Sequence, residues 1–172
     1  MNENSAFDYT VAKKVEGKYL LHRILMILGY IFFGSAYFFG LFLAHFYPLM
    51  AFVILIVWIM VFFTWRYVSI EYKYETESGI IRFYTVYGGK KKRLMLEKRI
   101  KDFKEISPCT EENLTRISAM QFDNAYRFVR SESFGSDDYF ATFDLDGKNC
   151  IIYFEANEQA MKIFKFYNSS AR

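Results

Sequence analysis

The chain has 172 residues, 53% of them hydrophobic and 21% aromatic, and its 22 Lys and Arg against 19 Asp and Glu give a net charge of +3. So small a basic excess argues against a nucleic-acid-binding domain, which carries a clear positive charge or a recognisable motif. Two cysteines, far apart in sequence and without CxxC spacing, exclude a disulfide scaffold or a zinc ribbon.

Residues 1–19 read as a cytoplasmic N-terminal segment and residues 20–67 as a two-helix hairpin. No Asp, Glu, Lys or Arg occurs between Arg23 and Arg66. About 20 apolar residues suffice to cross a hydrocarbon core. Residues 24–46 supply one span of ~35 Å, and residues 49–65 a second of ~26 Å, at 1.5 Å per residue. Pro48 opens the second helix, where its missing N–H is harmless. Strands are excluded, because two of them cannot close a barrel in lipid. A signal peptide has a shorter apolar core and a small-residue cleavage site; this run is longer and a second one follows. Lys13, Lys14, Lys18 and Arg23 flank the first span, Arg66 and Lys73 the second, and the turn between has neither Lys nor Arg. The positive-inside rule then predicts both termini in the cytoplasm, with Tyr47, Trp65 and Tyr67 as interface anchors. Ala36, Gly40 and Ala44 recur every four residues and form a candidate helix-packing seam. The seam is expected to face the second span of the same chain, with a homodimer or partner seam as the alternative.

Residues 68–172 change grammar. Val68, Ile70, Tyr72 and Tyr74 alternate with polar residues over 67–75, the pattern of a half-buried strand. Glu77-Ser78-Gly79 is a turn, 80–87 a second strand ended by Gly88-Gly89, and 93–98 a third. Residues 100–106 are expected as a short strand, although Ile100, Phe103 and Ile106 recur every three residues. Residues 111–124 read as a long connection or a short helix, and 126–131 as a strand. Two more strands, 139–145 and 149–155, flank Asp146-Gly147, a strong hairpin signal. Asn157 is an N-cap residue type, and Ala160, Ile163, Phe164 and Tyr167 share one helical face. The expected fold is thus α+β, about seven antiparallel strands capped by a C-terminal helix, behind a membrane α-hairpin.

That order resembles the pleckstrin-homology-like (PH-like) fold. The likeness is carried by Ile70-Glu71-Tyr72-Lys73-Tyr74-Glu75-Thr76, by Gly79-Ile80-Ile81, and by Lys91-Lys92-Arg93-Leu94 leading into Ile100-Lys101-Asp102-Phe103-Lys104-Glu105-Ile106. With the hairpin in front, nearly the whole chain is similar to small bacterial two-transmembrane-helix proteins with a C-terminal PH-like domain. The resemblance implies an architecture and no activity. It departs from inositol-phosphate-binding PH domains, whose basic residues lie at the first strand pair; here that loop, residues 75–79, is acidic.

Lys90, Lys91, Lys92, Arg93, Lys98, Arg99, Lys101 and Lys104 form a basic band, while acidic residues outnumber basic ones from Glu105 onward. The band is a candidate surface for anionic lipid or for a partner, each Lys or Arg near a charged leaflet contributing about 1 kcal/mol; a solvated, aggregation-resistant strand edge is the alternative. No catalytic, metal or cofactor site is expected. His22 and His45 border opposite ends of the first span, and no nucleophile elbow, P-loop or dinucleotide fingerprint occurs. Asp144, Asp146 and Glu155 lack the glycine offset of a calcium loop. The expectation is a non-enzymatic, membrane-anchored interaction or scaffold module that recruits or regulates a protein. Its partners would be the lipid bilayer, a membrane or cytoplasmic protein, or a second copy of the chain. An anionic-lipid sensor is the alternative, and a lipid-modifying enzyme a more remote one.

Overall fold

The computed structural model describes residues 6–171. Two compact units divide the chain: Val15–Ile70 with Tyr87–Lys91 form one, and the residues up to Lys14, Glu71–Val86 and everything from Lys92 onward form the other.

The first unit is built on α1 (Gly17–Leu43), α2 (Tyr47–Met50) and α3 (Val53–Thr64), closed by a 3-10 turn over Trp65–Tyr67. Gly17–Leu43 and the stretch Tyr47–Tyr67, of 27 and 21 residues, are long and apolar enough to cross a membrane. His45, at φ 60°, helps reverse the chain between them, and Pro48 sits in the first turn of α2. Apolar side chains stay exposed around both helices, Phe32 to 76% and Ile54 to 81%.

α1 meets α3 at Gly34, where a Cβ would stand 3.1 Å from Val57 Cγ2, and at Tyr30, whose hydroxyl lies 2.5 Å from Thr64 Oγ1. Ala36, Gly40 and Ala44 are exposed, and a Cβ at Gly40 would meet nothing within 4 Å. Packing within the chain therefore does not use that stripe. At 100° per residue, Ala36 lies on the far side of the helix from Gly34.

At the open end of the hairpin, the Tyr19 hydroxyl donates to Val68 O and accepts from Ile70 N at 3.2 Å. Arg23 donates to the same carbonyl through Nη2 at 3.0 Å and Nε at 3.3 Å, beneath the Tyr19 and Trp65 rings. Val68 is fully buried. Arg23, a flanking charge in the sequence, is here the tie that holds the two ends of the hairpin together.

The second unit begins with β1 (Ala6–Ala12). Phe7, Tyr9 and Val11 alternate with Asp8 and Thr10, and this strand pairs antiparallel with β2 (Ile70–Glu77), Tyr9 opposite Tyr74. Val11 is fully buried and Phe7 nearly so. Part of the 1–19 segment, expected to stand apart, is thus an edge of the domain's sheet. β3 (Ile80–Tyr87) and β4 (Lys91–Arg99) complete the order β1-β2-β3-β4. A two-residue turn, Ser78-Gly79, joins β2 to β3, and a three-residue one, Gly88-Gly89-Lys90, joins β3 to β4; connections this short join only antiparallel strands.

The second sheet has the order β5-β7-β8-β6, from β5 (Phe103–Pro108), β6 (Asn124–Phe128), β7 (Asp138–Leu145) and β8 (Lys148–Glu155). Among the described residues the domain has eight strands rather than seven, and they are not all antiparallel: β6 runs parallel to β8. The cause is the loop 129–137, which carries the chain from β6 to β7 on the other side of β8 instead of turning back beside β6. The strand expected at 100–106 starts at Phe103, because Ile100–Asp102 form a 3-10 turn. That turn explains the three-residue repeat of Ile100, Phe103 and Ile106.

α4 (Glu111–Ser118) and α5 (Glu158–Tyr167) cover this sheet. Alternation along β7 and β8 sorts their side chains. Ala141, Phe143, Ile152 and Phe154 enter the main core with α5 and the first sheet, while Phe140 and Ile151 join Cys109, Ile117 and Leu114 under α4. Asn157 caps α5 by accepting from Ala160 N at 2.9 Å. Asp146 and Gly147, both at positive φ, make the expected hairpin turn.

Candidate interaction surface

The basic band is divided between the two units. Lys92 bonds the Glu75 carboxylate and lies 3.8 Å from the centroid of the Tyr84 ring. Lys98 donates to Asp144 O at 2.7 Å, beside the Phe143 ring, and Lys104 pairs with the Asp144 carboxylate at 2.6 Å. Arg93, Arg99 and Lys101 are exposed on the strand unit. Lys90 and Lys91, also exposed, belong to the helical unit.

β4 carries most of the band, and its pairing is one-sided. It ends its sheet, with β3 along one edge. Leu94 and Met95 are 48% and 41% exposed. Adjacent residues of a strand point to opposite faces, so at this position neither face of β4 is covered. Only Leu96 of the strand is buried. On the neighbouring strands, Arg82 donates to Glu97 Oε2 at 2.8 Å, and the Lys92 ammonium, helped by Lys73, holds the Glu75 carboxyl below its ordinary value against the opposing effect of burial.

A polar site that the residue pattern did not announce lies over the end of β8. Asp138 and Glu155 face each other across β7 and β8, and both are buried. Glu155 Oε1 accepts from Arg130 N at 2.9 Å, with Arg130 Nη2 3.4 Å from Oε2. Asp138 Oδ2 accepts from Gly135 N at 2.7 Å. Both carboxyls are raised above their ordinary values, burial outweighing the hydrogen bonds. They bind the two ends of loop 129–137, and with Lys14 and Phe134 they border an open pocket of about 310 Å³. Asp137-Asp138 in a Ser- and Gly-containing loop was the available signal; the pairing with Glu155 is set by strand register alone.

A second open depression, of about 550 Å³, is bordered by Lys104, Glu105, Asn113, Arg116 and Ser170, with Arg116 gripping Glu105 through two hydrogen bonds. Cys109 and Cys150 are buried free thiols, and burial pushes the Cys109 thiol up to about 12. Such a thiol is not a nucleophile at neutral pH. Among the described residues, no group of three His, Cys, Asp or Glu is placed to hold a metal ion.

No curated protein and no solved structure matches the chain. The family described as Bacterial PH-like domain (DUF6106) matches residues 4–171, taking in the N-terminal strand, both apolar helices, the two sheets and the closing helix. The chain belongs to this bacterial PH-like domain family.

Proposed function

We propose that the chain is a non-catalytic, membrane-anchored interaction module. Gly17–Leu43 and Tyr47–Tyr67 cross the bilayer as a hairpin with both termini cytoplasmic. The support is energetic: at about 25 cal/mol per Å² of apolar surface, the exposed Leu, Ile and Phe side chains of these helices are untenable in water and comfortable in lipid. Reporter fusions at each terminus test the topology, and an extracytoplasmic C-terminus overturns it.

The domain then presents the outer edge of β4 to a protein partner. The observation that carries this reading is the unpaired strand edge with Leu94 and Met95 uncovered among cations. An acidic, extended segment of the partner fits such an edge. Backbone hydrogen bonds add it as a strand, and pockets for alternate side chains select it. A purely protective edge would need the lysines but not the two apolar side chains. A photo-crosslinking residue at Leu94 or Met95, in native membranes, should give reproducible protein adducts that one at exposed Met120 does not. Equal labelling from all three positions overturns the assignment of the edge.

A further inference from the structure

We infer that the neck of the hairpin is an anionic-lipid headgroup site, formed by Lys90 and Lys91 with Arg66 and Lys18. The inference rests on the membrane anchoring proposed above. It concerns the lipid contact, not the protein partner.

The turn between β3 and β4 belongs to the helical unit, and the rest of the basic band to the strand unit. Gly88 N donates to Ser69 O at 2.8 Å. A Cβ on Gly88 would stand 2.7 Å from Arg66 Cβ and 3.1 Å from Arg66 Cα, and φ is +58°. Only glycine lets the turn lie this close to the end of the second span. Lys90 and Lys91 follow within two and three residues, so the Lys90 Cα is at most about 8 Å from that of Gly88. The 3-10 turn on which Gly88 rests contains Trp65 and Tyr67, side chains suited to the headgroup level. Lys18 is brought to the same end, because its neighbour Tyr19 bonds Val68.

Charge says which headgroup. The helical unit contains Lys18, Arg23, Arg66, Lys90 and Lys91 against Glu16 alone, so the remainder of the chain has one more acidic than basic residue. The basic excess of the whole chain is gathered at one end of the hairpin. Arg23 is committed to Val68 O; Lys18, Arg66, Lys90 and Lys91 are exposed, and among the described residues none of them is in an ion pair. A zwitterionic surface offers these four cations no net attraction, while an anionic one does. Lys92, Lys98 and Lys104 are paired within the strand unit and are left out of the site.

The test uses the full chain with Trp58→Phe, leaving Trp65 as the sole tryptophan, reconstituted in vesicles that contain brominated phosphatidylglycerol or brominated phosphatidylcholine. Bromine quenches Trp65 only from lipids in contact with the neck. The anionic lipid should associate at least about fivefold more strongly, the effect of one cation near the surface, and the preference should shrink as salt is raised. Lys90→Gln with Lys91→Gln should bring the ratio close to one, and Arg66→Gln should lower it. Lys98→Gln with Arg99→Gln should leave it intact. Parity in the parent, or a preference that survives loss of Lys90 and Lys91, overturns the site while leaving the anchoring in place. Absence of quenching by either lipid overturns the anchoring as well.

Discussion

Tyr74 shows how one polar atom organises the domain. Its ring packs edge-on to Phe83 with centroids 5.4 Å apart, and its hydroxyl donates to Phe128 O while accepting from Glu155 N at 3.4 Å. One side chain of the first sheet thereby joins the ends of β6 and β8 in the second. Burial pushes its ionisation well above the ordinary tyrosine value, so it stays a neutral donor. Tyr74→Phe leaves a buried carbonyl without a partner and should destabilise the domain by about 1–3 kcal/mol in a denaturant titration. Glu155 makes the opposite case. Burial raises its carboxyl above the ordinary 4.5, so the folded state binds the proton more tightly than the unfolded chain. Its contribution to stability is complete below pH 4.5 and is lost as pH rises through the folded value. At neutral pH the buried charge is a cost. Glu155→Gln keeps an oxygen for Arg130 N and removes the charge. It should therefore raise the melting temperature at pH 7 relative to the parent, with the gain vanishing below pH 4.5.

Among elements, the end of α5 is the joint whose failure is easiest to read. Asn168 is buried and donates through Nδ2 to Ile100 O and Phe103 O, both at 2.8 Å, while Oδ1 accepts from Ser170 N at 2.9 Å. One side chain therefore locks the helix end to the 3-10 turn that leads into β5. Asn168→Ala strands these groups, at about 1–3 kcal/mol for a buried group left unpaired, and thermal melts should show a loss larger than for Ser170→Ala. The hairpin turn of β2 and β3 gives a second comparison. Gly79 has φ +77°, and a Cβ there would meet the Tyr167 ring at 2.9 Å, whereas Gly147, at φ +78°, faces open space. Backbone strain of about 1–3 kcal/mol accompanies either Gly→Ala change. Only Gly79→Ala should also disturb the packing of α5, and hence give the lower melting temperature of the two.

For the whole molecule, the decisive fact is that the domain is interrupted. β1 lies before the apolar helices in sequence and β2 after them, yet Phe7 and Val11 belong to the same buried cluster as Phe83, Phe143 and Phe164. Deleting residues 6–12 removes two core side chains and exposes the edge of β2. The loss should exceed the 2–5 kcal/mol typical of a single large-to-small core change, and limited proteolysis should find the remaining domain largely unfolded. A version with residues 6–12 supplied by a short linker in place of the helices should recover protection.

Local pattern was enough for much of this architecture. A charge-free run longer than a bilayer is thick admits one class of structure, so both long helices were legible from residues 24–65. Alternation over 67–75, the Asp146-Gly147 turn and the Asn157 cap likewise act within a few residues; the turn and the cap appear where their chemistry demands, while the strand begins only at Ile70, because Trp65–Tyr67 close the helices in a 3-10 turn. β1 was not read from the sequence, although Phe7, Tyr9 and Val11 alternate, because seven residues ahead of a long helical insertion give no sign of the strand they pair with beyond it. Long-range placement depends on which surfaces meet, and no local period encodes that. Only the tertiary structure decided that β6 runs parallel to β8, that Asp138 and Glu155 share a site, and that Arg23 closes the hairpin. It also divided the basic band. A run of cations reads as one patch in one dimension, but the Gly88 turn, bonded to Ser69, assigns Lys90 and Lys91 to the helices, while β4 carries Lys92 and Arg93 into the sheet.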